Sequence, residues 1–314
     1  MILDFLLLTL GLLLLLVGAD VLVRGARALA GRFGISPLVI GLTIVAFGTS
    51  APELFVSVTA ALRGSADIAV GNIVGSNLFN ILMIIGIAAC ILPVHISNSV
   101  IKREMPIMLI ACWLMVWFSS DLIISRWQGI ILTVGILLYL LLQYVLIQSG
   151  KLSVEEMVIE VEQPKVDSVW KCTLFILIGI VGLSFGSDLI VEHGSIIARA
   201  WGISEFVIAV SLVAVGTSLP ELATTAVAAV KGEPDLAVGN AVGSNIFNVL
   251  GVLGPAAIIQ PLRVDLAVLH FDMLFMGLAC LAVWFLMIFH RNMGRFAGLA
   301  LIATYGVYMW QTFS

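Results

Sequence analysis

Charged residues are scarce in this sequence. Only 11% of its 314 residues are Asp, Glu, Lys or Arg and 61% are hydrophobic, whereas a soluble domain carries about 25% charged residues. Apolar runs of about 20 residues, long enough to cross a bilayer, recur along the whole chain. The runs are continuous, whereas the strands of an outer-membrane barrel would show short alternating segments. We therefore expect an all-α polytopic membrane protein.

Cysteine and histidine are also rare, with four of each. No two cysteines have the spacing of a metal or redox motif, so we expect them to be small buried hydrophobes. No phosphate-binding loop is present, which argues against a process driven by ATP. No matching set of His and Cys favours zinc or copper, and we expect neither a bound cofactor nor a nucleic-acid partner. The expected partners are the lipid bilayer and small ions.

Ten apolar segments, separated by polar or glycine- and proline-marked breaks, predict ten transmembrane helices. The predicted helices cover residues 3–30, 36–62, 69–92, 104–120, 127–148, 169–199, 204–230, 237–260, 266–289 and 295–313.

One sizeable polar stretch, SGKLSVEEMVIEVEQPKVDS at residues 149–168, interrupts this pattern. It is acidic and too short for a further folded domain, so we interpret it as a linker. It divides the chain into two units of five predicted helices each, residues 1–148 and 169–314. With the N-terminus outside, 11 of the 15 Lys and Arg residues fall on the cytoplasmic side. Because cytoplasmic loops are enriched in Lys and Arg, we expect a cytoplasmic linker and both termini on the extracytoplasmic side.

The two units are copies of one another. Residues 36–86 align with residues 204–254 without a gap, and 27 of the 51 positions are identical. Because each unit has an odd number of predicted helices, the second copy enters the membrane from the opposite side. Inverted repeats of this kind are typical of secondary transporters, which bind their substrate near the bilayer midplane.

Both copies place a glutamate directly after a proline in the middle of an apolar run, Glu53 in VAFGTSAPELFVS and Glu221 in VAVGTSLPELATT. An ionised carboxylate at that depth costs ~2.5–3.5 kcal/mol on insertion scales, unless it faces the bundle interior and meets a cation. Proline lacks an N–H group and clashes with the carbonyl four residues before it. We therefore expect carbonyls near Ala46–Thr49 and Ala214–Thr217 to be released from the helix and to line a cavity or meet an ion.

Further oxygen-bearing side chains share faces with these glutamates or lie in the next helix of each copy, in GNIVGSNLFN and GNAVGSNIFN. Residues four apart lie on one helix face. A shell of carboxylate, hydroxyl, amide and carbonyl oxygens suits a hard cation such as Ca²⁺ or Na⁺. The side chains in question are Thr49, Ser76, Asn80, Thr217, Ser244 and Asn248.

Each of these residues also has a simpler interpretation. A proline in a membrane helix is usually a kink, a Ser, Thr or Asn usually bonds a neighbouring helix, and a buried glutamate can pair with arginine or stay protonated. Because the whole set of residues is duplicated, we favour a functional over a purely structural role for the two glutamates. For Asn72, Asn77, Asn240 and Asn245, helix packing and ion contact are equally open.

The motifs resemble a known family. GLTIVAFGTSAPEL with GNIVGSNLFN, repeated as AVSLVAVGTSLPEL with GNAVGSNIFN, is similar to the two α-repeats of the sodium/calcium exchanger family, within the calcium/cation antiporters. GADVLVRGA resembles the first helix of that family. The resemblance covers essentially the whole chain, and the short linker indicates a prokaryotic type without a regulatory domain. It implies an integral protein of a bacterial or archaeal inner membrane, for which a monomer suffices and an oligomer stays open.

The resemblance implies ten helices in two inverted five-helix repeats, with alternating access by sliding of the first and sixth helices. It also implies that Glu53 and Glu221 coordinate Ca²⁺ together with the carbonyls of Thr49 and Thr217. Some members carry Asp where this chain has Asn248, so the site here holds two permanent acids at most. The flanking Na⁺ sites would use Ser50, Ser76, Ser218, Ser244 and the carbonyls of Ala46 and Ala214.

The expected function is a secondary antiporter, not an enzyme, that exports Ca²⁺ in exchange for Na⁺. The nearest alternative is a proton/calcium or other divalent cation exchanger that uses the same two glutamates. A channel is a further class, which differs because it needs no exchanging ion on the far side. An intramembrane hydrolase is disfavoured because the repeats contain no nucleophile–base pair.

Overall fold

The computed structural model describes residues 1–149, 168–202 and 214–313, and these are predominantly helical. Its helices are α1 Ile2–Phe33, α2 Pro37–Thr49, α3 Ala51–Leu62, α4 Ala66–Ile91, α5 Met105–Phe118, α6 Arg126–Gln148, α7 Val169–Ala200, α8 Ala214–Gly216, α9 Leu219–Val230, α10 Pro234–Ile259, α11 Val268–Phe289 and α12 Arg295–Phe313. Short π-helical segments lie within or beside these helices at Gly41–Val45, Phe79–Ile84, Val100–Glu104, Phe247–Leu253 and Val268–Met273.

Six of the described helices are long and apolar enough to cross a membrane, namely α1, α4, α6, α7, α10 and α11. A seventh span is present if α2 and α3, which meet at an angle of 44°, are one broken span. The observed helix limits lie within a few residues of the predicted ones wherever the structure describes them. The predicted helices 36–62 and 204–230 differ, because the first is interrupted at Ser50 and the second at Thr217 and Ser218. Most of the predicted linker, and the first part of the predicted helix 204–230, lie outside the described residues.

The duplication extends to backbone conformation at the helix ends. Gly34, which ends α1, has φ 63°, and Gly202, its counterpart 168 positions later, has φ 79°. Residues with a Cβ rarely adopt this left-handed conformation, so glycine is the natural residue after the last helical turn. The same turn thus follows the first long helix of each half.

The two longest helices, α1 and α7, pack against each other in antiparallel orientation through glycines. A Cβ on Gly18 would lie 2.8 Å from the backbone nitrogen of Leu183, and one on Gly186 would lie 2.7 Å from that of Leu15. Small residues allow membrane helices to approach to backbone contact. Helices α1 and α7 therefore form one closely packed pair, which lies beside the remaining helices.

The core brings together elements of both halves. Helix α2 packs along α10. A Cβ on Gly41 would lie 2.8 Å from the carbonyl oxygen of Leu236, and one on Gly239 would lie 2.7 Å from that of Leu38. Helix α3 packs on α4, and α9 packs on α10 in the same way. The segments that carry the predicted site residues are therefore neighbours in the middle of the bundle.

Two short antiparallel strand pairs connect loops of the two halves. Strand β1, Val94–His95, pairs with β4, Asn292–Met293. Strand β2, Ile123–Ile124, pairs with β3, Leu262–Arg263. Strands β1 and β2 lie in the loops before and after α5, and β3 and β4 lie in the loops before and after α11. Each pair therefore joins a loop that precedes one of these helices to a loop that follows the other.

Ion pairs attach α1 to the turn between α9 and α10. The Arg27 guanidinium lies 2.6 Å from the Glu233 carboxylate. Asp20 pairs with Arg24 on its own helix at 2.7 Å and also with Lys231. Glu233 is the N-cap residue of α10, and burial raises the pKa of its carboxyl while Arg27 opposes that rise. These contacts lie at the end of the bundle that the sequence predicts to be cytoplasmic.

Candidate ion-binding site

Both glutamates lie in the first turn of a helix, directly after a short non-helical interruption. Ser50 separates α2 from α3, which places Glu53 in the first turn of α3. Ser218 precedes α9, which places Glu221 in the first turn of α9. The preceding proline is also in that first turn, where the missing N–H group would have no acceptor within the helix. Negative charge is favourable there, because the N-terminal end of a helix carries partial positive charge.

The carboxylates are fully buried, and each accepts a hydrogen bond from the other half of the chain. Ser218 Oγ donates to Glu53 Oε1 over 3.0 Å. Ser50 Oγ donates to Glu221 Oε1 over 3.0 Å. The serine at each break thus contacts the glutamate of the opposite repeat rather than that of its own.

The serines of α4 and α10 complete the contacts of the same oxygens. Ser76 Oγ lies 3.4 Å from Glu53 Oε1, and Ser244 Oγ lies 3.4 Å from Glu221 Oε1. In contrast to Ser50 and Ser218, each of these serines contacts the glutamate of its own half. One oxygen of each carboxylate therefore accepts one hydroxyl from each half.

The two threonines also bond across the halves. Thr49 Oγ1 donates to Asn240 Oδ1 over 3.1 Å, and Thr217 Oγ1 donates to Asn72 Oδ1 over 3.2 Å. Thr49 Oγ1 also lies 3.5 Å from Ser244 Oγ. Their hydroxyls are thus engaged with protein groups.

The expectation that carbonyls before the proline are released does not hold for Ala46. Its carbonyl accepts the Ser50 N–H group over 3.0 Å and is 3.4 Å from Thr49 Oγ1. A carbonyl oxygen has two lone pairs, so Ala46 stays a possible ligand. Ala214 begins α8, and its side chain lies outside the described part of the chain.

Asn80 and Asn248 occupy equivalent π-helical segments but differ in their contacts. Asn248 Nδ2 donates to Asn77 Oδ1 over 3.1 Å, whereas neither polar side-chain atom of Asn80 has a described hydrogen-bond partner. Asn77 and Asn245 bond reciprocally, side-chain nitrogen to backbone oxygen, over 3.5 and 3.1 Å. These last two amides therefore pack one repeat against the other. Such π-helical segments frequently mark functional sites.

Several buried oxygens at the centre lack a partner within the described residues, which fits a cation. They are Glu53 Oε2, Glu221 Oε2, Asn80 Oδ1, Asn245 Oδ1 and Asn248 Oδ1. Neither glutamate takes part in an ion pair within the described ranges. Those ranges also contain no cluster of three or more His, Cys, Asp and Glu side chains, so the site offers two carboxylates. Two buried carboxylates without a positive partner are costly unless a cation or protons accompany them.

A second buried polar cluster was missed by the sequence analysis. Glu104, before α5, accepts hydrogen bonds from Tyr139 over 3.0 Å and from Gln143 over 3.1 Å, and it pairs with Arg103 at 2.5 Å. Asp272, its counterpart in the second half, accepts a hydrogen bond from Tyr308 over 2.8 Å. The only sequence signal was a charge close to a predicted helix end.

The comparisons with known proteins agree with the resemblance. The family described as sodium/calcium exchanger protein matches residues 3–145 and 171–313. A putative antiporter, CaxA, from Alkalimonas amylolytica is 39% identical over 311 residues, which cover 97% of each chain. The sodium/calcium exchanger MaX1 of Methanosarcina acetivorans is 31% identical and covers 83% of this chain and 84% of its own. A structure of the sodium-calcium exchanger NCX_Mj, soaked with Na⁺ and Ca²⁺, has a TM-score of 0.84 at 29% identity and covers 98% of this chain and 97% of its own.

Proposed function

The chain belongs to the sodium/calcium exchanger family, and we propose that it exports Ca²⁺ in exchange for Na⁺ at the site around Glu53 and Glu221. It is a membrane antiporter of the calcium/cation class and not an enzyme. The observation that carries the more specific proposal is the pair of buried carboxylates without any described positive partner. A divalent cation balances both charges, and so do two monovalent cations, so Ca²⁺ and Na⁺ compete for the same oxygens.

The proposed ligands are the residues predicted from the sequence. Glu53 and Glu221 would hold Ca²⁺ with the carbonyls of Thr49 and Thr217, whose hydroxyls are turned toward the asparagines. Oxygen ligands of this kind suit both ions. The proposed ligands of Na⁺ are Ser50, Ser76, Ser218, Ser244 and the carbonyls of Ala46 and Ala214. The side-chain amides of Asn80 and Asn248 are further proposed ion ligands.

The proposed architecture has ten spans in two inverted repeats, residues 1–148 and 169–314, joined by a cytoplasmic linker at 149–168. The strand pairs support inversion. Val94 and Leu262 are equivalent positions of the two halves, yet Val94 pairs with Met293, whereas Leu262 pairs with Ile124. Equivalent loops therefore lie at opposite ends of the helix bundle. With the N-terminus outside, both termini are extracytoplasmic, in a bacterial or archaeal inner membrane.

Transport requires that the site open to each side in turn. Ions shift such an equilibrium only if they bind the two states with different affinity. The glycine-packed pair α1 and α7 is the proposed moving unit, because its members contact each other by backbone at several glycines along their length. The ion pairs of Arg27 and Asp20 with the turn after α9 would then break and re-form in each cycle.

Uptake of ⁴⁵Ca²⁺ into proteoliposomes tests the coupling ion. Vesicles loaded with Na⁺ and diluted into Na⁺-free buffer should accumulate Ca²⁺, whereas vesicles with a pH gradient and no Na⁺ should not. Accumulation driven by the pH gradient alone would show that H⁺, and not Na⁺, is the coupling ion at the same two glutamates. Ca²⁺ flux without any exchanging ion inside would indicate a channel.

A further inference from the structure

Asn72 and Asn240 each make three hydrogen bonds beside the site, and neither is among the proposed ion ligands. Asn72 Nδ2 donates to the backbone carbonyl of Glu53 over 3.3 Å and to Ser57 Oγ over 2.9 Å. Asn72 Oδ1 accepts the hydroxyl of Thr217 over 3.2 Å. The amide thus holds the glutamate turn of its own half and the threonine of the other half.

Asn240 repeats this arrangement. Its Nδ2 donates to the backbone carbonyl of Glu221 over 3.2 Å and to Thr225 Oγ1 over 3.0 Å. Its Oδ1 accepts the hydroxyl of Thr49 over 3.1 Å. The chain therefore contains two crossed links, Asn72 with Thr217 and Asn240 with Thr49, each spanning the boundary between the repeats.

The chemistry of the partners fixes the orientation of each amide. A backbone carbonyl only accepts hydrogen bonds, so the Asn nitrogen faces the glutamate carbonyl and the Asn oxygen faces the threonine. The amide oxygens of both asparagines already accept a threonine hydroxyl, unlike the unpartnered buried oxygens of Glu53, Glu221 and Asn80. The threonine hydroxyl in turn donates to the asparagine, and the carbonyl of each threonine is the proposed ion ligand.

We propose that Asn72 and Asn240 are positioning residues that set the geometry of the ion site through crossed hydrogen bonds to Thr217 and Thr49. This rests on the proposed function, because it assigns how that site is held. Loss of either amide lets the glutamate turn and the opposite threonine move independently, so Ca²⁺ binding weakens. The Na⁺ dependence keeps its steepness, because no ligand is removed.

Double-mutant cycles test the crossed pairing, with the half-saturating Ca²⁺ concentration of exchange as the readout. Thr217→Val should raise it about fivefold to tenfold, the weight of one hydrogen bond. Asn72→Ala should raise it further, because it also removes the hydrogen bonds to the Glu53 carbonyl and to Ser57. The double variant should be no worse than the poorer single one, because both changes remove the same link. Thr217→Ser should restore wild-type behaviour, since it keeps the hydroxyl.

The duplication supplies the matched control. Asn72→Ala combined with Thr49→Val removes one hydrogen bond from each of two separate links, so the two effects should multiply. The inference is wrong if the effects on the half-saturating Ca²⁺ concentration multiply in the crossed pair, or if they do not multiply in the control pair. Asn72→Asp distinguishes positioning from ligation. A carboxylate cannot donate to the Glu53 carbonyl or to Ser57, so we expect it to be no better than alanine, and tighter Ca²⁺ binding would show Asn72 to be a ligand.

Wild-type uptake of Ca²⁺ tests the proposed function separately, since it involves no substitution. The same cycles, measured on the midpoint of thermal unfolding in detergent without Ca²⁺, test the pairing even if another ion is transported. Coupling confined to Asn72 with Thr217, and to Asn240 with Thr49, supports the inference by either readout, and any other pattern contradicts it.

Discussion

The hydroxyl of Ser218 donates a hydrogen bond to the carboxylate of Glu53 over 3.0 Å, although 165 positions separate the two residues in the sequence. The mirrored bond from Ser50 to Glu221 has the same length. Each repeat therefore supplies the glutamate of one half of the site and the serine of the other. Neither repeat contains the whole candidate site by itself.

The crossed serines should affect Ca²⁺ binding equally. A hydrogen bond to a charged group contributes about 1.5–3 kcal/mol, and tenfold in affinity corresponds to about 1.4 kcal/mol. Ser218→Ala and Ser50→Ala should therefore each raise the half-saturating Ca²⁺ concentration of exchange at least about tenfold. Ser119→Ala is the matched control, because within the described ranges that buried hydroxyl donates to the backbone carbonyl of Met115, in the helix that Ser119 follows. Wild-type affinity in Ser218→Ala would contradict the crossed contact.

Local patterns predict the limits of most described helices to within a few residues, because long apolar runs mark membrane helices whatever their neighbours. The repeat also predicted that both glutamates belong together. The sequence predicts one helix over 36–62 with carbonyls released before Pro52, whereas Pro52 lies in the first turn of a new helix after Ser50. The Ala46 carbonyl keeps its helical partner for the same reason.

Contacts between the halves were beyond the sequence analysis. Thr217 bonds to Asn72, 145 positions away, and no local spacing encodes that partner. The sequence alone does not distinguish packing from ion contact for Asn72, whereas its hydrogen bonds favour packing. Glu104 was missed because Tyr139, 35 positions later, is on another helix, so the pair forms only when the helices pack.

The Glu104 cluster should matter for stability rather than for ion binding. Tyr139→Phe removes a donor from a buried carboxylate, so it should lower the free energy of unfolding by about 1–3 kcal/mol. Thermal unfolding in detergent measures this, and the half-saturating Ca²⁺ concentration should not change. Tyr144→Phe, on the exposed side of the same helix, is the control and should leave both quantities unchanged. A large loss of Ca²⁺ affinity in Tyr139→Phe would instead connect the cluster to transport.

A reversible cross-link can test the movement of α1. Arg27 and Glu233 lie 2.6 Å apart across the contact between α1 and the turn after α9. Cysteines at both positions, in a background without the four native cysteines, can be joined by a bifunctional methanethiosulfonate. Exchange should stop on cross-linking, because sliding separates these positions, and should recover when a reductant is added. Each single cysteine variant treated in the same way is the control, and undiminished exchange in the cross-linked protein would exclude this movement.

The central claim is that Glu53 and Glu221 together hold the exchanged ions. Its most direct test is ⁴⁵Ca²⁺ uptake into Na⁺-loaded proteoliposomes containing wild-type protein, Glu53→Gln or Glu221→Gln. Glu192→Gln, an exposed glutamate of α7, serves as the control. Because one remaining carboxylate cannot balance Ca²⁺, we predict uptake by the wild type and the control and none by either site variant, with all four proteins equally folded. Uptake at the wild-type rate by both Glu53→Gln and Glu221→Gln would contradict the account.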